Sequence, residues 1–187
     1  HFRATYRPLG ESGKLGGVLF QFPPRFANSQ LSRDYLRRVA DQMEGGRTVV
    51  EFRNDSWFTM NTANLTLDLL RALGLSYAIA DEPQTPRDTA PPLVAVTDPD
   101  LAYVRLHGRN VDGWLRGGGG TRYDYDYSEA ELAEWADIAL GLALQARQVH
   151  VLFNNNARGD GTRNAIRLSE LLGIGPADPP ALPLAQP

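Results

Sequence analysis

Apolar positions gather in five short runs, LGGVLFQF, TVVEFR, SYAIAD, AYVRLHGR and VHVLFNN, and each run predicts a strand, over 17–22, 48–53, 76–80, 102–107 and 149–153. Pro23-Pro24 stops the first, because proline cannot continue a ladder. Between the runs the apolar spacing turns helical. Leu31, Tyr35, Val39 and Met43 predict a helix over 29–44 that ends at Gly45-Gly46, and Leu65, Leu69 and Leu73 predict one over 61–73 that ends at Gly74. Ser128-x-x-Glu131 reads as a capping box opening a helix to 146 with Leu132, Trp135 and Leu142 inward. A last helix is predicted over 162–172. The proline-rich stretch from Asp81 to Asp100 predicts none. Residues 173–187 hold five prolines and read as a disordered tail or linker, which leaves 1–172 as the folded domain.

Successive strands start roughly 30, 28, 26 and 46 residues apart, which matches βα units and an α/β fold with a parallel sheet. Strands joined this way point one way, so their carboxyl ends share one edge. That edge is where open α/β sheets and α/β barrels bind ligands. Here each run ends in polar residues: Gln21, Glu51 with Arg53, Asp81, Arg105 with His107, and Asn154, Asn155 and Asn156. Five such units make either a doubly wound sheet or part of an eight-stranded barrel, and periodicity does not separate the two.

Composition narrows the function classes. A net charge of −3 and a pI near 5.6 argue against a surface that coats nucleic acid, while leaving room for a local basic groove. The absence of cysteine excludes disulfides, thiolate catalysis and cysteine-ligated metals, and fits a cytoplasmic setting. No run approaches the ~18 apolar residues of a membrane span, and no signal peptide pattern is present. Residue 1 is histidine, so a processed, trimmed or partial chain is expected. Of 19 basic residues only Lys14 is lysine, so a single arginine is weak evidence of function.

Residues i and i+2 of a strand face one side, which puts Glu51 with Arg53 and Arg105 with His107. Glu51 suits a general base or metal ligand, and the arginines suit an anionic group. The structural alternative is a buried Glu–Arg ion-pair network. His107 is the strongest single catalytic candidate, since imidazole titrates near neutral pH and ligates metals. Asp81 suits a metal ligand or a turn cap. The three asparagines offer uncharged recognition, Gln21 the same more weakly, and Trp57 and Trp114 offer stacking surfaces. Trp135 and His150 read as structural. The tetraglycine at 117–120 follows no strand closely and has no lysine beside it, so it reads as a mobile loop and not a phosphate loop.

The blocks LGGVLFQFPPRF, VVEFRNDSW, YVRLHGRN with DYDYSEAELAEWA, and VHVLFNNN with NAIRLSELLG resemble, in order and spacing, the YecE-like family called domain of unknown function 72. They run from about residue 14 to 172. The resemblance implies a TIM-type barrel without an established activity, of which this chain supplies the last five of eight βα units. The missing strands are then expected from an absent amino-terminal segment, a partner or a domain swap. No nucleophile elbow, HExxH pair or dinucleotide fingerprint is present. Two readings follow. The first is an enzyme, a hydrolase or lyase acting on a phosphorylated or nucleotide-like substrate. Glu51, Asp81 and His107 would act as base or divalent-metal ligands, and Arg53, Arg105 and Arg109 would hold phosphate. The second is a non-catalytic module that binds an anionic small molecule or a nucleic-acid end, with its carboxylates locked in ion pairs.

Overall fold

The computed structural model describes residues 2–43, 45–85, 89–117 and 119–175. Five strands form the predicted elements to within a residue or two: β1 (Val18–Gln21), β2 (Thr48–Glu51), β3 (Ser76–Asp81), β4 (Ala102–Leu106) and β5 (Val149–Phe153). All neighbours pair in parallel, in the order β1-β2-β3-β4-β5. A doubly wound sheet reverses its strand order at a switch point, and this one does not. Each crossover therefore advances the same way and lays its helix on the same face. That topology removes the ambiguity left by periodicity in favour of the barrel-type arrangement.

Among the described residues seven α-helices precede, connect or follow the strands: α1 (Phe2–Glu11), α2 (Gln30–Gln42), α3 (Ala63–Ala72), α4 (Val111–Arg116), α5 (Gly119–Arg122), α6 (Glu129–Ala143) and α7 (Asp160–Leu171). The capping box forms as expected, with Ser128 and Glu131 satisfying each other's backbone. Leu132, Trp135 and Leu142 are buried from α6. Two inner stripes keep the carboxyl-terminal half of the expected ones, with Val39 and Met43 buried and Leu69 and Leu73 packed against the core, but are offset by one position in their amino-terminal halves. On α2 the buried residues are Ser32, Leu36 and Val39, while Leu31 is 75% exposed. On α3 they are Thr66, Leu67 and Leu70, while Leu65 is 69% exposed. In both helices small polar side chains with local hydrogen-bond partners take an inward place: Ser32 bonds Ser29, and Thr66 donates to the Trp57 carbonyl.

The sequence reading assigned no element before residue 17, yet α1 is there. It carries Pro8 and buries no residue, so neither breaker rules nor burial patterning reveal it. Phe2 meets Phe20 edge-on at 5.8 Å, and the Tyr6 hydroxyl lies 3.3 Å from Met43 Sδ. Of the tail expected at 173–187, residues 176–187 fall outside the described residues, as does Gly118 of the tetraglycine. Gly119 and Gly120 belong to α5.

The sheet has two unequal faces. Val50, Tyr77, Ile79, Val104 and Leu106 join Leu36, Leu70, Leu132 and Trp135 in the main core under the helices. The opposite face holds a small cluster of Val49, Ala78 and Leu101, with Leu19 and Tyr103 only partly covered. Among the described residues β1 and β5 each pair on one side only, and Leu152 on β5 is 39% exposed. No helix among the described residues is long and apolar enough to cross a membrane. Open edges and a half-covered apolar face favour association. We expect the isolated 187-residue chain to sediment as dimers or larger species at micromolar concentration. A monomer that unfolds cooperatively would contradict this.

Candidate active site

The carboxyl ends of β2 and β4 bring the central groups together. Gln21 and Glu51 are register partners across β1 and β2. The His107 amide continues the β3–β4 ladder by donating to the Asp81 carbonyl at 2.9 Å. Strand alternation then turns Glu51, Arg105 and His107 to the face away from the helices. Glu51 and His107 are fully buried and Arg53 is 5% exposed.

These side chains form one network. Glu51 Oε1 lies 2.6 Å from Arg53 Nη2, and Glu51 Oε2 accepts from Arg105 Nη1 at 2.5 Å. Arg53 Nη1 pairs with Glu82, a carboxylate just past the end of β3, and Arg53 Nη2 lies 2.9 Å from His107 Nε2. The same Arg105 Nη1 donates to Gln21 Oε1 at 2.8 Å, and the Asn154 amide lies 3.0 Å from His107 Nδ1. Glu82 Oε1 in turn accepts from the Ala90 amide at 2.9 Å.

The two glutamates flank one guanidinium yet differ in acidity. Burial raises the Glu51 pKa, but the His107 contact and the charges of Arg53 and Arg105 outweigh it and bring the group down to about 2. Glu82 is dominated by burial, which Arg53 and the Ala90 amide only partly offset, and it is pushed up to about 7. Burial, aided by the charges of Arg53 and Arg105, also holds His107 below the usual imidazole range against the pull of Glu51. The ring is therefore neutral at pH 7. His107 Nε2 sits 2.9 Å from Arg53 Nη2 and 3.4 Å from Glu51 Oε1, and Nδ1 sits 3.0 Å from Asn154 Nδ2, so the one proton and the one lone pair of the neutral ring each have a neighbour.

Asp81 points to the other side of the sheet and forms a second network. Arg109 Nε reaches both its oxygens at 3.0 and 3.1 Å, and the Tyr127 hydroxyl donates to Oδ2 at 2.7 Å while accepting from the Gly108 amide at 2.9 Å. Arg109 continues to Glu131 at 3.1 Å, where the Tyr125 hydroxyl donates at 2.6 Å. Gly108 has φ +89°, and a Cβ there would sit 2.5 Å from Tyr125 Cβ. Only glycine fits that step between the networks.

With this geometry in view, the comparisons place the chain. The family described as protein of unknown function DUF72 matches residues 1–187. The chain belongs to this family. The match extends beyond the 14–172 of the sequence resemblance. UPF0759 protein YunF of Bacillus subtilis (strain 168) is 39% identical over 178 residues, which are 92% of this chain and 63% of that protein. A DUF72 family crystal structure from Enterococcus faecalis V583 superposes with a TM-score of 0.90 at 32% identity, covering 97% of this chain and 68% of that one. Another from Thermotoga maritima MSB8 gives 0.84 at 33%, covering 92% and 63%. The DUF72 chain thus spans a little under two thirds of its curated relative's length, and its five parallel strands form a curled half-barrel sheet.

Of the residues singled out from sequence, this DUF72 fold gathers Gln21, Glu51, Arg53, Arg105, His107 and Asn154. It sets Asp81 and Arg109 apart. Trp57 is fully buried, stacked on Phe52 at 4.4 Å, and donates to the Phe26 carbonyl at 2.7 Å, so it belongs to the helix-side core. Asn155 is buried and donates to the Tyr125 carbonyl and to Asn164, while Asn156 is exposed. Among the described residues no three His, Asp or Glu side chains are grouped to hold a metal ion. A divalent metal on Glu51 would have to displace Arg53 or Arg105. Sequence reasoning missed Glu82, although period two signals it: residues 78, 80 and 82 share the phase of the inner face, and Asp81 does not.

Removing the Glu51 charge leaves Arg105 without a carboxylate among the described residues and Arg53 with Glu82 alone. Glu51→Gln is expected to cost about 3–5 kcal/mol in urea unfolding, as for other broken buried pairs; a loss under ~1 kcal/mol, the range of exposed pairs, would contradict the network. Linkage gives opposite signs for the two glutamates. The Glu51 contribution is complete above its ordinary value of 4.5 and is lost as pH falls toward about 2. The folded state holds the Glu82 proton more tightly than the unfolded one, so stability declines as pH rises from 4.5 through about 7. Glu82→Gln should remove that decline in thermal melts between pH 5 and 8, and a variant that keeps it would refute the assignment.

Proposed function

We propose that the strand ends bind a small phosphate-bearing or otherwise anionic substrate and carry out proton transfer on it, in a hydrolase- or lyase-type reaction. The observation that carries this reading is the pair of buried glutamates sharing Arg53, one depressed to about 2 and the other raised to about 7. Pairs driven apart in this way are how sites obtain one fixed anion and one group that exchanges protons at neutral pH. In this reading Glu82 is the acid–base group, Glu51 holds the arginines in place, and neutral His107 lies beside Glu51 and Arg53. Arg105 receives the anion. It is anchored through Nη1 alone, its side chain is 13% exposed, and its Nε and Nη2 have no hydrogen-bond partner among the described residues. Those two nitrogens suit a bidentate phosphate or carboxylate, and the amides of Gln21 and Asn154 flank it.

The five units are read as the carboxyl-terminal five of an eight-unit TIM-type barrel working in the cytoplasm, with the remaining strands completing the wall opposite Arg105. A second reading, a binding module without chemistry, is favoured by the ion pairing of Glu51 and Asp81.

Two measurements separate them. Isothermal titration calorimetry with inorganic phosphate should show binding that weakens at least about tenfold in Arg105→Met, the loss of one charged hydrogen bond or more. Carbon-13 titration of the glutamate carboxyls should show one group titrating near 7 that is absent from Glu82→Gln. Phosphate binding with every carboxyl in the ordinary range would leave the binding module, and no phosphate binding would sink both readings.

A further inference from the structure

Trp114, on α4, is 4% exposed and has two guanidinia near its ring, with Arg53 Cζ 5.6 Å and Arg122 Cζ 4.5 Å from the centroid. Both cations can thus draw on one ring. The neighbours of Trp114 reach the site already described. Tyr123 meets Trp114 edge-on at 6.2 Å and the His107 ring at 5.8 Å. Arg122 is also near enough to Glu82 to pull its acidity.

The cluster has more buried donors without an acceptor than the reverse: its one such acceptor among the described residues, Glu51 Oε1, has no hydrogen bond but ion-pairs with Arg53. Trp114 Nε1, Arg53 Nε and Arg122 Nε are all buried N–H donors with no acceptor among the described residues. Arg122 stands out further. Arg53, Arg105 and Arg109 each meet a carboxylate, whereas Arg122 has no ion pair or hydrogen bond among the described residues. Stacking alone is a poor reason to hold it there. A cation–π contact is worth ~0.5–2 kcal/mol, and a single buried donor left without an acceptor costs ~1–3 kcal/mol. Three such donors on adjacent side chains outweigh the stacking gain. Charge runs the same way: Arg53, Arg105 and Arg122 face the fixed anion Glu51 and a Glu82 that is only half ionised near pH 7. The cluster carries an excess of positive charge and a surplus of donors, which is the complement of an oxyanion.

We infer that Arg122, Trp114 and Arg53 form a second oxyanion position, so that the substrate carries two anionic groups, one at Arg105 and one under Arg122. This rests on the reading of Arg105 as an anion site and extends it to the substrate class, a small molecule with two oxyanion groups such as a phosphorylated carboxylic acid. Gly117 ends α4 with φ +70°, and the short α5 that follows carries Arg122 back to Trp114. A Cβ on Gly113 would sit 2.3 Å from the Thr121 carbonyl oxygen, so the two short helices pack without a side chain between them.

The test compares probes with one and two anionic groups by calorimetry: inorganic phosphate, phosphoglycolate and 3-phosphopropionate. The better of the two-anion probes is expected to bind the unaltered chain at least about tenfold more tightly than phosphate. Arg122→Gln should abolish that advantage while leaving phosphate affinity within about twofold, and Arg122→Lys should restore part of it. Matching thermal melts establish that the variants are folded. Equal affinity for one-anion and two-anion probes, or an advantage that survives Arg122→Gln, overturns the inference. The Arg105 reading fails separately, through phosphate binding that is absent or indifferent to Arg105→Met.

Discussion

The buried guanidinium of Arg53 sets the terms for everything around it. Arginine does not give up its charge inside a protein, so a side chain exposed by only 5% must find anions and acceptors nearby. Glu51 and Glu82 supply the charge, and His107 Nε2 lies 2.9 Å from the same Nη2 that faces Glu51. Each of these groups is held in its ionisation state by the next. Glu51 stays anionic because two arginines face it, His107 stays neutral because it is buried beside two cations, and Glu82 is left with one guanidinium to offset its burial. The parallel sheet makes the arrangement possible. Sequential strand order brings the ends of β2, β3 and β4 side by side, and period-two alternation turns the same-phase side chains inward.

Much of this was legible in the sequence because the signals were periodic. The five strand runs, the capping box at Ser128 and the inward face of α6 follow from spacing alone, as does the pairing of Glu51 with Arg53 and of Arg105 with His107. Strand order was not legible: the lengths of the βα units are the same for a doubly wound sheet and for a barrel. Helices α1 and α4 also escaped, α1 because it carries a proline and buries nothing, α4 because six residues are too few for a periodic pattern.

The candidate site was readable by place and only partly by residue. Asp81 was the natural choice as the last residue of the third run, but its phase sends it to Arg109 and Tyr127, and the adjacent Glu82 takes the inner position. Trp57 and Trp114 looked alike as aromatic side chains near strand ends. One is stacked in the main core and the other has two guanidinia near its ring, a distinction that depends on tertiary contacts. Arg122 was masked by composition: in a chain whose basic residues are nearly all arginine, its distinguishing property is the partner it lacks, which no sequence displays.

The network holds only if the buried His107 ring is neutral at pH 7 among Arg53, Glu51 and Asn154. Nitrogen-15 chemical shifts of the histidine ring measure this directly, because protonated and unprotonated ring nitrogens resonate far apart, and Asn154→Ala identifies the His107 signal by perturbing Nδ1 first. At pH 7 one His107 nitrogen is expected to be protonated and the other not. An imidazolium at pH 7 would contradict the network, because a third cation would then stand beside Arg53 and Arg105.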